Sequence, residues 1–270
     1  MVTGNDGMTL KDFSNTFPSA SDNKLSVIIM ADSFFYAIFN ANNKIVAHHS
    51  FEGIRYSNNS SNQTILNDQN LKLEFDYISV LVINENGYLT SEKEDITPTF
   101  FPSLEHQVVY AENIDHIGMK YYFGLTPHQE TLVQSLFAGK SNEVHSYPSN
   151  FSRWYQFNVK NIVHIHIEKS FFLLYIQKDK RIVLSNFFGV NEVNDILYFV
   201  MAACKTTEIN ISDDDFFISG NIEKDSPLFT TLHAYIGNID LVKTVGVFEQ
   251  NEIQQASHPH HYFLHVSNIL

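Results

Sequence analysis

The sequence predicts an α/β protein built from two versions of one βββαβα unit, and three observations predict it. A stretch of about twenty residues occurs twice without a gap, offset by 137 positions: Asp32, Ser33, Phe34 and Phe35 line up with Lys169, Ser170, Phe171 and Phe172. Ile45 and Val46 then match Ile182 and Val183, and Phe51 matches Phe188. Each copy reads as strand, turn, strand, with β-branched and aromatic runs broken by short polar residues. After the second copy, an apolar stripe at helical spacing and a proline-capped helix complete the unit. The length, 270 residues of which 44% are hydrophobic and 14% aromatic, suits about two domains and a sizeable core.

Residues 1–23 contain no apolar run and only one basic residue, Lys11, which predicts a flexible N-terminal tail with neither signal nor transit peptide. The first lobe, residues 24–158, opens with a β-branched run from Leu25 to Ala31. Asp32 and Ser33 turn it into a second strand, Phe34 to Phe39. Ala41, Asn42 and Asn43 make a hairpin turn, and Lys44 to Phe51 is the third strand. Residues 58–70 are rich in Asn and Ser with only Ile65 and Leu66 to bury, so a short helix is expected before a strand from Tyr77 to Ile83. Thr126 to Gln129 is a capping box with Pro127 at the first helical position; Leu132, Val133, Leu136 and Phe137 form a face, and Gly139 ends the helix. The segment 150–156, with the sole tryptophan, Trp154, leads to a boundary near residue 158.

The second lobe, residues 159–270, repeats the pattern with strands at Ile162 to Ile167, Phe171 to Ile176 and Arg181 to Phe187, the last two joined by a polar turn at Lys178, Asp179 and Lys180. Asn191 can cap a helix whose first turn carries Glu192 and Asp195, suited to the positive end of the helix dipole. Val193, Ile196, Leu197, Val200 and Cys204 form its buried stripe. A strand from Asp213 to Ser219 follows, then a turn at Gly220 and Asn221. The last helix has Ser226 as cap, Pro227 at its first position and Gly237 as its stop.

Thirty acidic against 17 basic residues give a net charge of −13, which repels phosphate backbones and anionic lipid surfaces, so neither nucleic acid nor membrane is expected as a partner. The single cysteine, Cys204, cannot form an internal disulfide and falls on an apolar helix face, which reads as core packing in a reducing cytoplasm. The longest apolar stretches fall far short of the roughly 18 residues a membrane span needs. Phe-Phe pairs at 34/35, 100/101, 171/172, 187/188 and 216/217 recur at strand ends. Neighbouring side chains on a strand face opposite ways, so each pair is buried on both faces or exposes a ring that a protein partner could cover.

Two such modules in tandem resemble the duplicated ribonuclease H-like fold of the actin and hexokinase superfamily. At finer grain the chain resembles the bacterial domain-of-unknown-function 3822 family, whose members have this actin-like ATPase fold. The likeness rests on Lys180 to Phe187, the helix Glu192 to Cys204, Phe217 to Gly220, Ser226 to Leu228 running to Tyr235 and Ile236, and His261 to Phe263. In the first half it rests on Leu25 to Phe39 and Thr97 to Pro102. The resemblance implies the fold and brings no catalytic residues with it.

Actin-like ATPases hold phosphates in two hairpin turns rich in glycine and small hydroxyl residues, since a backbone amide reaches a phosphate only where no side chain blocks it. The corresponding turns here, Asp32 to Phe35 and Lys169 to Phe172, contain no glycine. Asp32 could organise a magnesium hydration shell, although aspartate is also common in turns, and the second turn presents Lys169 at that place. The adenosine turn is reduced to Ser219, Gly220 and Asn221. His164 and His166, two apart on a strand, project to one face; they read as a pair on a partly exposed face rather than metal ligands. His258, His260 and His261 form a polar patch that could hold zinc or nickel adventitiously, and Asp213 to Asp215 a solvated strand entrance. There is no Walker loop, G-x-S-x-G elbow, H-E-x-x-H or dinucleotide fingerprint.

The sequence therefore points to a cytoplasmic pseudo-ATPase acting as an interaction or scaffold protein, with a protein partner and no catalytic residue, metal or cofactor. The rival reading is a divergent nucleotide-binding enzyme or switch, using Asp32, Ser33, Lys169, Ser170 and Gly220 in an interlobe cleft. The two are distinguished by whether Phe34 and Phe171 point into that cleft.

Overall fold

The computed structural model describes residues 22–91, 102–158, 160–190, 192–244 and 259–270. Expectations for residues 1–21, for 97–101, for the Phe100/Phe101 pair, for Asn191 as a cap and for His258 lie outside the described residues.

The first lobe runs β1 (Lys24–Ile29), β2 (Ser33–Phe39), β3 (Ile45–Glu52), α1 (Asn59–Leu66), β4 (Tyr77–Val82), β5 (Gly87–Ser91), β6 (Val108–Ile114), β7 (Met119–Leu125), α2 (Pro127–Leu136), β8 (Glu143–Ser146) and α3 (Tyr147–Tyr155). The second runs β9 (Ile162–Ile167), β10 (Phe171–Lys178), β11 (Arg181–Gly189), α4 (Val193–Thr207), β12 (Asp215–Gly220), α5 (Pro227–Tyr235), β13 (Ile239–Leu241) and α6 (Phe263–Asn268). The main sheets have the orders β3-β2-β1-β4-β8 and β11-β10-β9-β12-β13, each with two antiparallel hairpins followed by parallel strands. The fold is thus the duplicated ribonuclease H-like one, each lobe carrying a fifth strand and a third helix beyond the expected βββαβα. A three-stranded sheet, β5-β7-β6, is inserted in the first lobe between β4 and α2.

Local chemistry explains most of the boundaries. Thr126 accepts from the Gln129 amide and the Gln129 side chain accepts from the Thr126 amide, closing the capping box of α2. At α4 the reciprocal pair is Glu192 with Asp195, and Glu208 ends the helix in the left-handed region. Gly237 serves a different purpose from the expected stop: Ile236 caps α5, and a Cβ at Gly237 would lie 2.7 Å from the Ser212 carbonyl.

Strand register refines the internal match. Ile29 faces Phe34 at the end of the first hairpin and Ile167 faces Phe172 at the end of the second, so the first two strands correspond at an offset of 138, not 137. Lys24 pairs with Tyr77 and Ile162 with Asp215, each 53 positions on, which extends the same offset to β4 and β12. Both β2–β3 and β10–β11 carry an irregularity at matching places, Ile38/Phe39 and Ile176/Gln177. Only the third strands keep 137, with Phe34 opposite Phe51 and Phe172 opposite Phe188. Both are close ring pairs, at 6.0 and 5.0 Å.

Along β10 the side chains alternate. Phe171, Leu173 and Tyr175 join the larger core, which includes Val27, Ile29, Phe151 and Phe263, while Phe172, Leu174 and Ile176 join a second core with Ile196, Val200, Cys204 and Phe229. The larger core therefore runs continuously from the first sheet to the inner face of the second. The terminal helices fill the space between: α3 packs on α6 and touches β10, and α6 packs on β1, β4 and β12. The Phe pairs among the described residues are core or half-buried as expected; the strongly exposed rings among the described residues are Phe157, just past α3, Tyr198 and Tyr235.

Candidate functional site

A cleft of about 460 Å³ lies between the lobes. Its walls are the first hairpin turn (Met30, Ala31, Asp32), the end of β4 and the segment after it (Val82 to Asn86), Gln107 just before β6, Gly124 of β7, Thr126 and Gln129 at the start of α2, and Ser170, Phe171 and Phe187 of the second lobe. Of the five residues foreseen around a nucleotide, Asp32 and Ser170 line this cleft.

Both turns are tied from below. In the first, the Met30 amide donates to the Ser33 carbonyl (2.9 Å), the Ile54 amide to the Asp32 carbonyl (2.7 Å), the Tyr56 hydroxyl to the Ser33 carbonyl (2.7 Å) and the Gln129 amide group to the Met30 carbonyl (2.9 Å). In the second, the Glu168 amide donates to the Phe171 carbonyl and the Val190 amide to the Ser170 carbonyl, both at 2.9 Å. These bonds make Ser170 the counterpart of Asp32, and Phe171 the counterpart of Ser33. Ser33 is buried, and its hydroxyl donates to the Asp32 carboxylate (3.0 Å). Burial, and then the Asp32 charge, push the Tyr56 phenol well up.

Phe171 stacks on Phe187, with centroids 4.5 Å apart, and both rings line the cleft. Phe34 behaves differently: it is fully buried, edge-on to Phe51. Lys169 is exposed and pairs across the lobes with Glu52 (3.1 Å), a contact that exposure and salt screening keep weak. Gly220 is not part of the cleft lining; it has a φ of +88°, and a Cβ there would sit 2.1 Å from the Ile167 carbonyl oxygen.

A second constellation is wholly interior. His164 and His166 are completely buried, contrary to the partly exposed face expected, because α3 and α6 cover that side of β9. The Tyr155 hydroxyl lies 2.9 Å from His164 Nδ1, and Ser219 Oγ is 2.7 Å from both His164 Nε2 and His166 Nδ1. His166 Nε2 is 3.0 Å from Glu168 Oε1. One arrangement satisfies every member with neutral imidazoles: Tyr155 donates to His164, His164 to Ser219, Ser219 to His166 and His166 to the carboxylate. Burial, and then the neighbouring His166, hold the His164 imidazole well below its usual range. The chain of bonds ends in the second hairpin turn, beside the cleft. Its signal in the sequence was the histidine pair; nothing there revealed that Ser219 bridges it.

Of the remaining candidates, burial raises the Cys204 thiol to about 12, leaving it inert. Asp213 and Asp214 accept from Asn210, and Asp215 pairs with Lys160, which makes that run the expected strand entrance. Among the described residues, no helix is long and apolar enough to cross a membrane.

Two five-stranded lobes around a cleft, with a hairpin turn from each lobe facing it, define the actin-like ATPase fold class. The chain belongs to the family described as protein of unknown function (DUF3822), which it matches over residues 12–239. A Bacteroides thetaiotaomicron protein with actin-like ATPase fold and unknown function is similar at TM-score 0.66 and 14% identity, over 88% of this chain and 96% of that one. The PilM-PilN type IV pilus biogenesis complex is similar at 0.65 and 10%, over 91% and 97%. The ethanolamine utilization protein EutJ from Carboxydothermus hydrogenoformans is similar at 0.51 and 8%, over 94% and 90%. No curated protein matches the sequence.

Proposed function

We propose that this is a cytoplasmic, non-catalytic member of the fold class, in which residues 24–158 and 159–270 form two lobes whose cleft takes a basic segment of a protein partner. The observation that carries this reading is the lining of the cleft. Asp32 and Glu85 supply carboxylates, no lysine or arginine is among the described residues lining it, and Phe171 stands where the other turn has Ser33. A phosphate entering there meets two like charges and a phenyl ring, whereas a lysine or arginine side chain meets carboxylates, side-chain amides and the rings of Phe171 and Phe187. The chain's charge of −13 favours the same class of partner. The PilM-PilN complex, similar in fold, is itself an assembly of proteins.

Affinity capture from the source cells, comparing the wild type with Asp32→Lys/Glu85→Lys, tests the reading. Both side chains are exposed, and thermal melts of the two proteins check that the fold survives the loss of the Ser33–Asp32 hydrogen bond. The variant should lose a partner that the wild type retains; equal capture by both would place the partner elsewhere. The rival, a divergent nucleotide site, draws its support from Asp32 and Ser170 facing the same cleft.

A further inference from the structure

Away from the cleft, Glu223 follows β12, while His260 and His261 lie in the 3-10 turn Pro259–Tyr262 that leads into α6. One potential ligand atom from each of the three lies within 4.8 Å of the others. His260 is 4% exposed, and its Nε2 is 2.5 Å from the Ile222 carbonyl oxygen. A carbonyl only accepts, so Nε2 carries the proton and the lone pair is on Nδ1. A ring nitrogen held by a backbone carbonyl is the arrangement that orients metal-ligating histidines. His261 Nε2 stands 3.3 Å from Glu223 Oε1. A charge-assisted hydrogen bond is normally shorter, about 2.7–2.9 Å, whereas two ligands on a tetrahedral zinc, each bonded at about 2.0–2.1 Å, lie roughly 3.4 Å apart. The nearby cation, Lys224, is offset by Asp240 at 3.4 Å.

We propose that Glu223, His260 and His261 form a site for one divalent transition-metal ion, zinc by ligand type, with water completing the tetrahedron. Two imidazoles and one carboxylate suit zinc over calcium or magnesium, which prefer all-oxygen shells. The ion would tie the turn that feeds α6 to the loop between β12 and α5. Because α6 is wedged between the two sheets, metal binding would reinforce the junction of the lobes.

The test is titration of the chelator-treated full chain with zinc against a chromophoric chelator, accompanied by thermal melts with and without zinc. One equivalent should bind and raise the melting temperature, and X-ray absorption should show nitrogen and oxygen neighbours without sulfur. Glu223→Gln and His261→Gln, both at partly exposed positions, should fold and weaken binding at least tenfold. His260→Ala should abolish it, although its burial makes the two milder variants the decisive ones. Failure to bind zinc, or an affinity unchanged in both Glu223→Gln and His261→Gln, would overturn the proposal and mark any residual binding as adventitious attachment to other histidines.

Discussion

Ser26 and His164 occupy the same place on the first strands of the two sheets, and each is bonded by the terminal helix of the opposite lobe. Ser26 faces Ala37 and Ser79, and His164 faces the corresponding Tyr175 and Phe217. His265 of α6 reaches Ser26 at 3.0 Å, and Tyr155 of α3 reaches His164 at 2.9 Å. Both contacts are buried, so the lobes are joined by reciprocal polar staples set in a shared apolar core. Tyr155→Phe should leave His164 Nδ1 unpaired and cost about 1–3 kcal/mol, the price of a buried orphaned group. Urea denaturation measures this; a loss under about 0.5 kcal/mol, the range of ordinary surface changes, would show that the staple contributes nothing.

Three buried histidines make the fold acid-sensitive. Burial, with a neighbouring histidine as the lesser cause, lowers His48 to about 4 and places His164 and His265 well below the usual value. The folded state therefore binds protons less readily than the unfolded chain. Their contribution is fully present above the ordinary histidine pKa of about 6.5 and is lost as pH falls toward 4. The slope should reach about 1.4 kcal/mol per pH unit for each histidine. Urea midpoints at pH 7, 6 and 5 should fall progressively, and His48→Leu should flatten the curve. A flat profile in the wild type would contradict the burial of neutral imidazoles.

Gly220→Ala should destabilise the second lobe by roughly 2 kcal/mol or more, because the left-handed backbone disfavours a side chain and the new Cβ would strike the Ile167 carbonyl. Asn221 donates to that same carbonyl at 2.7 Å, so the contact has no room to relax. Thermal melting of the variant checks this; an unchanged midpoint would mean that the β12 end can shift.

On α4, Ile196→Ala should cost about 2–5 kcal/mol and Leu197→Ala distinctly less. Ile196 is 2% exposed in the second core, while Leu197 is only partly buried at its margin. Helical periodicity placed both on one stripe; the observed burial centres that stripe on Ile196, Val200 and Cys204. Equal losses for the two variants in denaturant melts would contradict this packing.

Strands and caps were readable in the sequence because they rest on local chemistry: β9 spans the expected Ile162 to Ile167, and α2 and α5 begin at the expected prolines. The register between the lobes was not. Ser33-Phe34-Phe35 resembles Ser170-Phe171-Phe172 at an offset of 137, yet the bond from the Glu168 amide to the Phe171 carbonyl sets the first two strands at 138. A one-residue slip reverses every side chain. That is why Phe34 is enclosed in the core while Phe171, at the margin of that core, also lines the cleft, though the sequence treated them as equals. The inserted sheet and α3 went unread as well. Tyr121 is buried against both Phe123 and Tyr147, which gives those segments a stability that residue pattern alone does not announce. The cleft was legible only at Asp32 and Ser170; Glu85, Gln107 and Gln129 reach it through long-range packing.

Titration calorimetry of the full chain with ATP and magnesium tests most directly the proposal that the cleft takes no nucleotide. The acidic lining and the Phe171 ring predict no binding heat up to millimolar ATP. A dissociation constant in the micromolar range, abolished by Asp32→Ala with the fold intact, would contradict the non-catalytic reading and restore the cleft as a nucleotide site.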